Sequence, residues 1–548
     1  MFEIADNYVF TDDNYFKLAL ILLRIRAKIP VIMMGETGCG KTSLIRKLSE
    51  FINNGNKSKM KILNIHVGTN DKDIIRFLEK KVIPEAKKLQ EKDKQKKNES
   101  QKNEYQKDMI FHDSTLWVFF DEINTCNSMG LISEILCKRT YQGNEIPENV
   151  AFIAACNPYR TYGNEEKKEK NEKIRDGLNV ANAQNEIRNN LKDKKEIDKI
   201  KNLNKKSSLV YAVNPLPHSL LNFVFDFGRV SDEDEKKYII NIIEESQLKY
   251  FNKYKDNSFN QEDFMKINDL AVNMIITSQN FIRKNNDISS VSLREIRRFN
   301  IFFEFFYDYL KKKKEMKSND FNEINISEFE KENYKFYSEC TYKEIHLYSI
   351  ILSIFVCYYL RISKNEDRKK LINDNLKEIL RKYNKKYEDF MKIPQKEQYF
   401  IAECINLEKG IAKNKALLDN IFALFVAINT KVPIFIIGKP GCSKSLSVQL
   451  IIKSMRGKDS KNLLFKNLPR IIMTSYQGSM GSTSKGVKNV FRIARNKLKS
   501  AKEQRNQNEE VISMIFFDEL GLAEHSPNNP LKVIHSELEY DLNEGDKK

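Results

Sequence analysis

The sequence predicts a tandem α/β fold: two modules, each a parallel sheet sandwiched by helices, with a long helical stretch between them. Three observations carry this. Two glycine-bent loops, Gly35–Thr42 and Gly438–Ser445, each follow a short apolar run and open a helical pattern. Each is answered downstream by an apolar run ending in Asp-Glu, with the Asp 80 and 74 residues after the loop lysine (121 − 41; 518 − 444). Residues 231 to 405, in between, carry mostly helical spacing. Two loops paired with two acidic strands at similar separation amount to an internal duplication.

In the first module, Tyr15–Ala27 has Leu, Ile and Arg at helical spacing, and Val31–Met34 is a short apolar run suited to a buried strand. The loop that follows is a complete phosphate-binding loop: Gly35, four residues including Gly38, then Gly40, Lys41 and Thr42. Its glycines let backbone N–H groups turn toward a phosphate, and the helix N-terminus adds partial positive charge. Lys41 is placed for the β- and γ-phosphates and Thr42 for magnesium. Lys61–Val67 reads as a second strand. Leu116–Phe120 reads as a buried parallel strand that delivers Asp121 as a metal ligand and Glu122 as the general base for water. Ser128–Lys138 reads as a helix. Val150–Cys156 is a further strand, closed by Asn157, whose amide suits the γ-phosphate or the attacking water. A fifth apolar run covers Leu220–Phe227.

Boundaries follow from composition. A first α/β subdomain spans 1–230, with Lys/Asn/Glu-rich insertions at about 80–107 and 161–208. A helical lid spans 231–315. Ser292 caps its last helix, and Arg294, rather than Arg297, is the arginine expected to reach back to the nucleotide. A helical linker or extended lid spans 316–405, and the second α/β subdomain spans 406–548. There Val432–Ile437 reads as the strand before the second loop, which contains Gly438, Gly441, Ser443, Lys444 and Ser445; Ser443 stands where glycine is expected. Lys444 and Ser445 are the nucleotide and metal residues, Asp518 the metal ligand and Glu519 the base. An Asn-ended strand, a further strand and a lid are still wanted after Glu519, so the second module reads as truncated and the chain as a fragment.

The formal charge is +18, carried largely in the Lys-rich runs, which read as solvated insertions; nucleic acid is therefore not the expected partner. Eight scattered cysteines show no Cys-x-x-Cys pair and no histidine cluster, which excludes a zinc site or disulfide framework. Cysteines inside both loops, Cys39 and Cys442, fit a reducing, cytoplasmic compartment. The start of the chain is not a signal peptide, and the most apolar segment, Leu347–Leu360, is too short to span a membrane.

Tandem loops with Asp-Glu strands and an Asn-ended strand resemble the AAA+ superfamily. Within it, Met34–Thr42 resembles the dynein and midasin branch. Ala154–Arg160, Gly410–Asn414, Gly438–Gly441 with Ser443–Ser445, Ser475–Gly478 and Phe517–Glu524 together resemble the ATPase core of the mysterin-type giant RING ubiquitin ligases. That resemblance implies further AAA+ modules in a pseudo-hexameric ring within one polypeptide, ATP and Mg2+ as cofactors, and ubiquitin machinery among the partners. It assigns Lys41, Thr42, Asp121, Glu122 and Asn157, and then Lys444, Ser445, Asp518 and Glu519, to the family's nucleotide roles. Two departures stand out. No Cys/His zinc-ligand pattern is present, so ligase activity is not expected of this chain. No arginine precedes Arg229 in the fifth strand, where a finger often follows. The expected function is ATP hydrolysis driving conformational change. The alternatives are a nucleotide-locked scaffold and a midasin-like remodeller of ribonucleoprotein.

Overall fold

The structure is a computed structural model that describes residues 11–36, 38–53, 59–66, 68–99, 115–160, 211, 213–228, 230–254, 259–316, 327–383, 387–405, 407, 410–504, 510–524, 526, 530–531, 533–534 and 537–538. Contacts divide it into two units, residues 10–229 with 524–548 and residues 230–523 with 1–9.

The first unit is built on one parallel sheet. Its strands are β1 (Val31–Gly35), β2 (Met60–Asn64), β3 (Leu116–Asp121), β6 (Val150–Cys156) and β7 (Val224–Gly228), in the order β2-β3-β6-β1-β7. A two-residue hairpin, β4 (Thr140–Tyr141) and β5 (Asn144–Glu145), stands apart from it. The central strands read as unbroken apolar runs because both faces are covered: Leu116 to Phe120 are all buried, as are Phe152 to Cys156. Pairing is parallel and level, with Phe120 opposite Ala154 and Met34 opposite Cys156. Three adjacent strands therefore end at one edge, and the residues that follow them converge there.

Helices flank this sheet. Thr11 caps Asp12–Arg26, and Asn70 with Asp73 forms a capping box on Asp71–Phe77. The charged run after residue 80 is helical through Glu99. The rest of the first expected insertion, and the second one entire, lie outside the described residues.

The second unit is mostly helical. Asp232–Tyr254, Gln261–Asn285 and Leu293–Glu315 form the segment expected as a lid; Ser292 and Glu295 make a capping box on the third. Glu328–Glu339, Tyr342–Ile354 with the π turn Phe355–Tyr359, and Tyr387–Ile405 follow. These helices share a single apolar core with Lys415–Thr430 and with Lys444–Ser454, the helix after the second loop. Leu347–Leu360 lies inside that core, and among the described residues no single helix is long and apolar enough to cross a membrane.

The second sheet departs from expectation. It consists of two parallel strands, β8 (Arg470–Gln477) and β9 (Val511–Asp518). Val432–Ile437 is not a strand. In the first unit the equivalent β1 is held between β6 and β7. Here no strand pairs with 432–437 among the described residues, and Phe435 and Ile437 are 67% and 94% exposed. An extended segment needs a ladder partner to satisfy its backbone, and local apolarity does not supply one.

Candidate functional site

β1 ends at Gly35, where a Cβ would sit 3.0 Å from Phe227 Cβ and 3.2 Å from the Gly228 carbonyl oxygen; β7 passes too close for a side chain. Gly38 and Gly40 take φ of 79° and 88°, left-handed values that glycine adopts freely. The loop so formed leads into the helix Lys41–Ile52.

Lys41 is buried. Its Nζ donates to the carbonyls of Gly35 (2.6 Å) and Glu36 (2.9 Å) and lies 3.8 Å from Cys39 Sγ. Thr42 Oγ1 donates to Asp121 Oδ2 at 2.8 Å, which ties the loop to the end of β3 across 79 residues of sequence. Asp121 Oδ1 accepts from the Glu122 N–H (3.1 Å). Glu122 itself has φ 55°, a conformation that costs a non-glycine residue about 1 kcal/mol or more. Burial pushes the Cys156 thiol at the end of β6 up to about 12, while the Lys41 ammonium acts to lower it, so the loop lysine is felt at that strand end too.

Asn157 is buried, and its backbone is held by the Asn124 side chain. Glu36 accepts from the Tyr211 hydroxyl and faces Arg160 Nη1 at 3.5 Å. None of Asn124, Glu36, Arg160 or Tyr211 stands out as a site residue in the sequence. The single available signal is position: Asn124 is three residues past Asp121, and Glu36 is inside the loop.

A hydroxyl and a carboxylate oxygen 2.8 Å apart beside a lysine-capped glycine loop suit a magnesium–phosphate group. Magnesium takes few protein oxygens and completes its shell with phosphate and water. No cluster of three or more His, Cys, Asp and Glu is found among the described residues.

The second module repeats the local geometry. Lys444 Nζ donates to the Gly438 (2.7 Å) and Lys439 (3.0 Å) carbonyls. Gly441 and Ser443 have φ of 83° and 55°, and Ser443 thus holds the left-handed position of Gly40 without being glycine. Glu519 has φ 50°, and its N–H donates to Asp518 Oδ1 at 3.0 Å, as in the first module. A Cβ on Gly478 would lie 2.4 Å from the Glu519 carbonyl oxygen, so glycine is required where β8 turns past the acidic strand. No hydrogen bond joins Ser445 to Asp518 among the described residues, and Glu519 is exposed. Arg294 belongs to the second unit; its side chain is exposed and its N–H donates to Ser292 Oγ at 3.3 Å.

Two family profiles, each described as an RNF213 AAA domain, match residues 8–160 and 410–548. The E3 ubiquitin-protein ligase rnf213-beta of Danio rerio is 32% identical over 98% of the chain. The E3 ubiquitin-protein ligases RNF213 of Homo sapiens and Mus musculus are 32% and 30% identical over 97% of it. The chain spans 9% of the length of each of these proteins.

Proposed function

Because this chain belongs to the RNF213 family, as a tandem AAA+ region of it, we propose that it binds ATP and that its first module hydrolyses it. The loop N–H groups and Lys41 bind the β- and γ-phosphates. Thr42 and Asp121 would hold magnesium, which when bound offsets the charge on the phosphate oxygens. Glu122 accepts the proton of the attacking water, and Asn157 directs its amide at the water or the γ-phosphate. Lys444, Ser445, Asp518 and Glu519 take the same roles in the second module, and Arg294 reports the bound phosphate to the helices expected as a lid. Hydrolysis then drives conformational change in a cytoplasmic ligase assembly, with further AAA+ modules of the same polypeptide and ubiquitin machinery as partners.

The bond between Thr42 and Asp121 supports this reading most, because it joins phosphate loop and acidic strand with Glu122 adjacent. In the full chain carrying Lys444→Ala, so that turnover comes from the first module, Lys41→Ala should abolish tight ATP binding. Glu122→Gln should keep binding and slow hydrolysis by about 100-fold or more. Turnover that survives Glu122→Gln unchanged overturns the assignment. A nucleotide-locked role for the second module is favoured by the strained Ser443 and the lack of a bond from Ser445 to Asp518. Single-turnover hydrolysis of labelled ATP in the Lys41→Ala chain decides it.

A further inference from the structure

The turn after the acidic strand, Glu122-Ile123-Asn124-Thr125-Cys126, is tied down on every side. Asn124 is 2% exposed. Its Nδ2 donates to the Asn157 carbonyl at 2.7 Å, and its Oδ1 accepts the Asn157 N–H at 3.3 Å. One carboxamide thus takes both backbone groups of Asn157, as a neighbouring strand would, beyond the last register pair of β3 and β6 at Phe120 and Ala154. The Asn157 side-chain amide makes no hydrogen bond among the described residues. Thr125 Oγ1 donates to the Glu122 carbonyl (2.8 Å) and to the Ile65 carbonyl at the end of β2 (3.1 Å). The Asn124 carbonyl accepts from the Asn214 N–H (2.7 Å), and Asn214 Nδ2 donates to the Cys126 carbonyl (2.9 Å). The same five residues therefore fix Glu122 in its left-handed conformation on one side and Asn157 on the other.

We propose that Asn124 is a positioning residue for ATP hydrolysis in the first module: its carboxamide sets the separation and orientation of the Glu122 carboxylate and the Asn157 amide. This rests on the ATPase reading above. Asn124 does not touch the nucleotide; it acts through Asn157 and the turn that carries Glu122. Its loss leaves the phosphate loop, Lys41 and the Thr42–Asp121 pair untouched, so binding persists while the chemical step suffers. The second module has Gly521 and Leu522 at the corresponding places (518 + 3; 518 + 4), so this device belongs to the first module alone.

The test uses the full chain with Lys444→Ala, comparing Asn124→Ala, Asn124→Asp and Glu122→Gln. ATP affinity is read by equilibrium titration and the chemical step by single-turnover hydrolysis. Asn124→Ala should bind ATP within about threefold of the parent and hydrolyse it on the order of 10- to 100-fold more slowly, as expected for a misplaced reacting group. Asn124→Asp adds a readout that packing alone does not move. As a carboxylate it accepts the Asn157 N–H but has no proton for the Asn157 carbonyl; when protonated it makes both bonds. Burial raises its pKa, so the ratio of variant to parent rate should climb as pH falls from 8 to 6. Parent-like hydrolysis by Asn124→Ala, or a pH-independent ratio for Asn124→Asp, overturns the proposal. If Asn124→Ala fails to fold, the Asn124→Asp ratio decides by itself. If Glu122→Gln also hydrolyses at the parent rate, it is the ATPase reading that has failed.

Discussion

Replacing Glu397 by Gln in the second unit should cost about 3–5 kcal/mol at pH 7, the usual penalty for leaving a buried partner charge unpaired. Lys313 and Glu397 have 3% and 0% of their side chains exposed. Lys313 Nζ donates to both Glu397 oxygens (2.8 and 3.0 Å) and to Asn333 Oδ1 (2.8 Å), and lies 3.5 Å from the Phe400 ring centroid. Tyr309 donates its hydroxyl to the same carboxylate at 2.9 Å. Burial pushes the Lys313 ammonium down to about 8, against the pull of Glu397. Between pH 8 and about 10.5 the unfolded chain holds a proton that the folded chain lacks, so parent stability rises with pH in that window. Without Glu397 the interactions that raise it are gone, so the folded lysine's pKa falls further below its ordinary value. Loss of the Lys313 proton by pH 7 would cost at most about 1.36 × (10.5 − 7), or about 5 kcal/mol, at the top of the range above. The deficit should then shrink by about 1 kcal/mol from pH 7 to pH 8, because a variant without that proton gains the full slope while the parent, half deprotonated at pH 8, gains only part of it. Urea unfolding followed by far-UV circular dichroism measures this, with the single Trp117, buried in β3, giving a separate fluorescence signal for the first unit. The double variant Lys313→Met/Glu397→Leu should recover most of the loss. A loss under 1 kcal/mol for Glu397→Gln, or one that does not change with pH, refutes the reasoning.

Two further outcomes follow from strain and burial. Ser443 has φ 55° and makes no capping bond with its side chain, so Ser443→Gly should stabilise by about 1 kcal/mol, read as a raised urea midpoint at unchanged slope. His346 is fully buried among Phe259, Phe303 and Tyr307, with one ring nitrogen 3.0 Å from Gln247 Oε1, and burial pushes its pKa down to about 3. The unfolded chain takes up that proton below about pH 6.5, so stability is full above this value and falls by about 2 kcal/mol by pH 5. His346→Phe should remove that slope between pH 7 and 5, whatever its own cost at neutral pH.

Much of the first site is legible because its chemistry is local. The loop is eight consecutive residues, and five apolar residues before Asp121-Glu122 announce a buried strand that ends in carboxylates. What escapes is set by partners far along the chain. Glu36 meets Tyr211 across 175 residues, and Asn124 meets Asn157 across 33. In sequence, Asn124 is one polar residue in a turn. In sequence Lys311–Lys314 is four cations in a row with nothing to single one out, yet Lys313 is buried because Glu397, 84 residues on, is brought against it. Helical periodicity marks an apolar face without naming what covers it. That is why the segments expected as lid and linker do not announce that they share a core with the second loop helix.

The same distinction explains the segment before the second loop, and it predicts how the chain behaves in solution. Val432–Ile437 has the composition of a buried strand, but among the described residues no strand pairs with it, and several of its side chains are exposed. Phe435 and Ile437, which lie two residues apart and so on one face, are 67% and 94% exposed; Ile434 adds 39%. Exposed apolar residues on an uncovered edge are expected to recruit a second chain. Ile437 packs against almost nothing, so Ile437→Lys should change folding stability by no more than about 0.5 kcal/mol. The new charge should nonetheless disfavour edge-to-edge pairing, so sedimentation at rising concentration should show more monomer than the parent. Equal association in the two proteins would mean that this edge is not where chains meet. A stability loss above about 1 kcal/mol would mean that Ile437 is covered after all, because only a side chain with neighbours to lose can be that costly to replace.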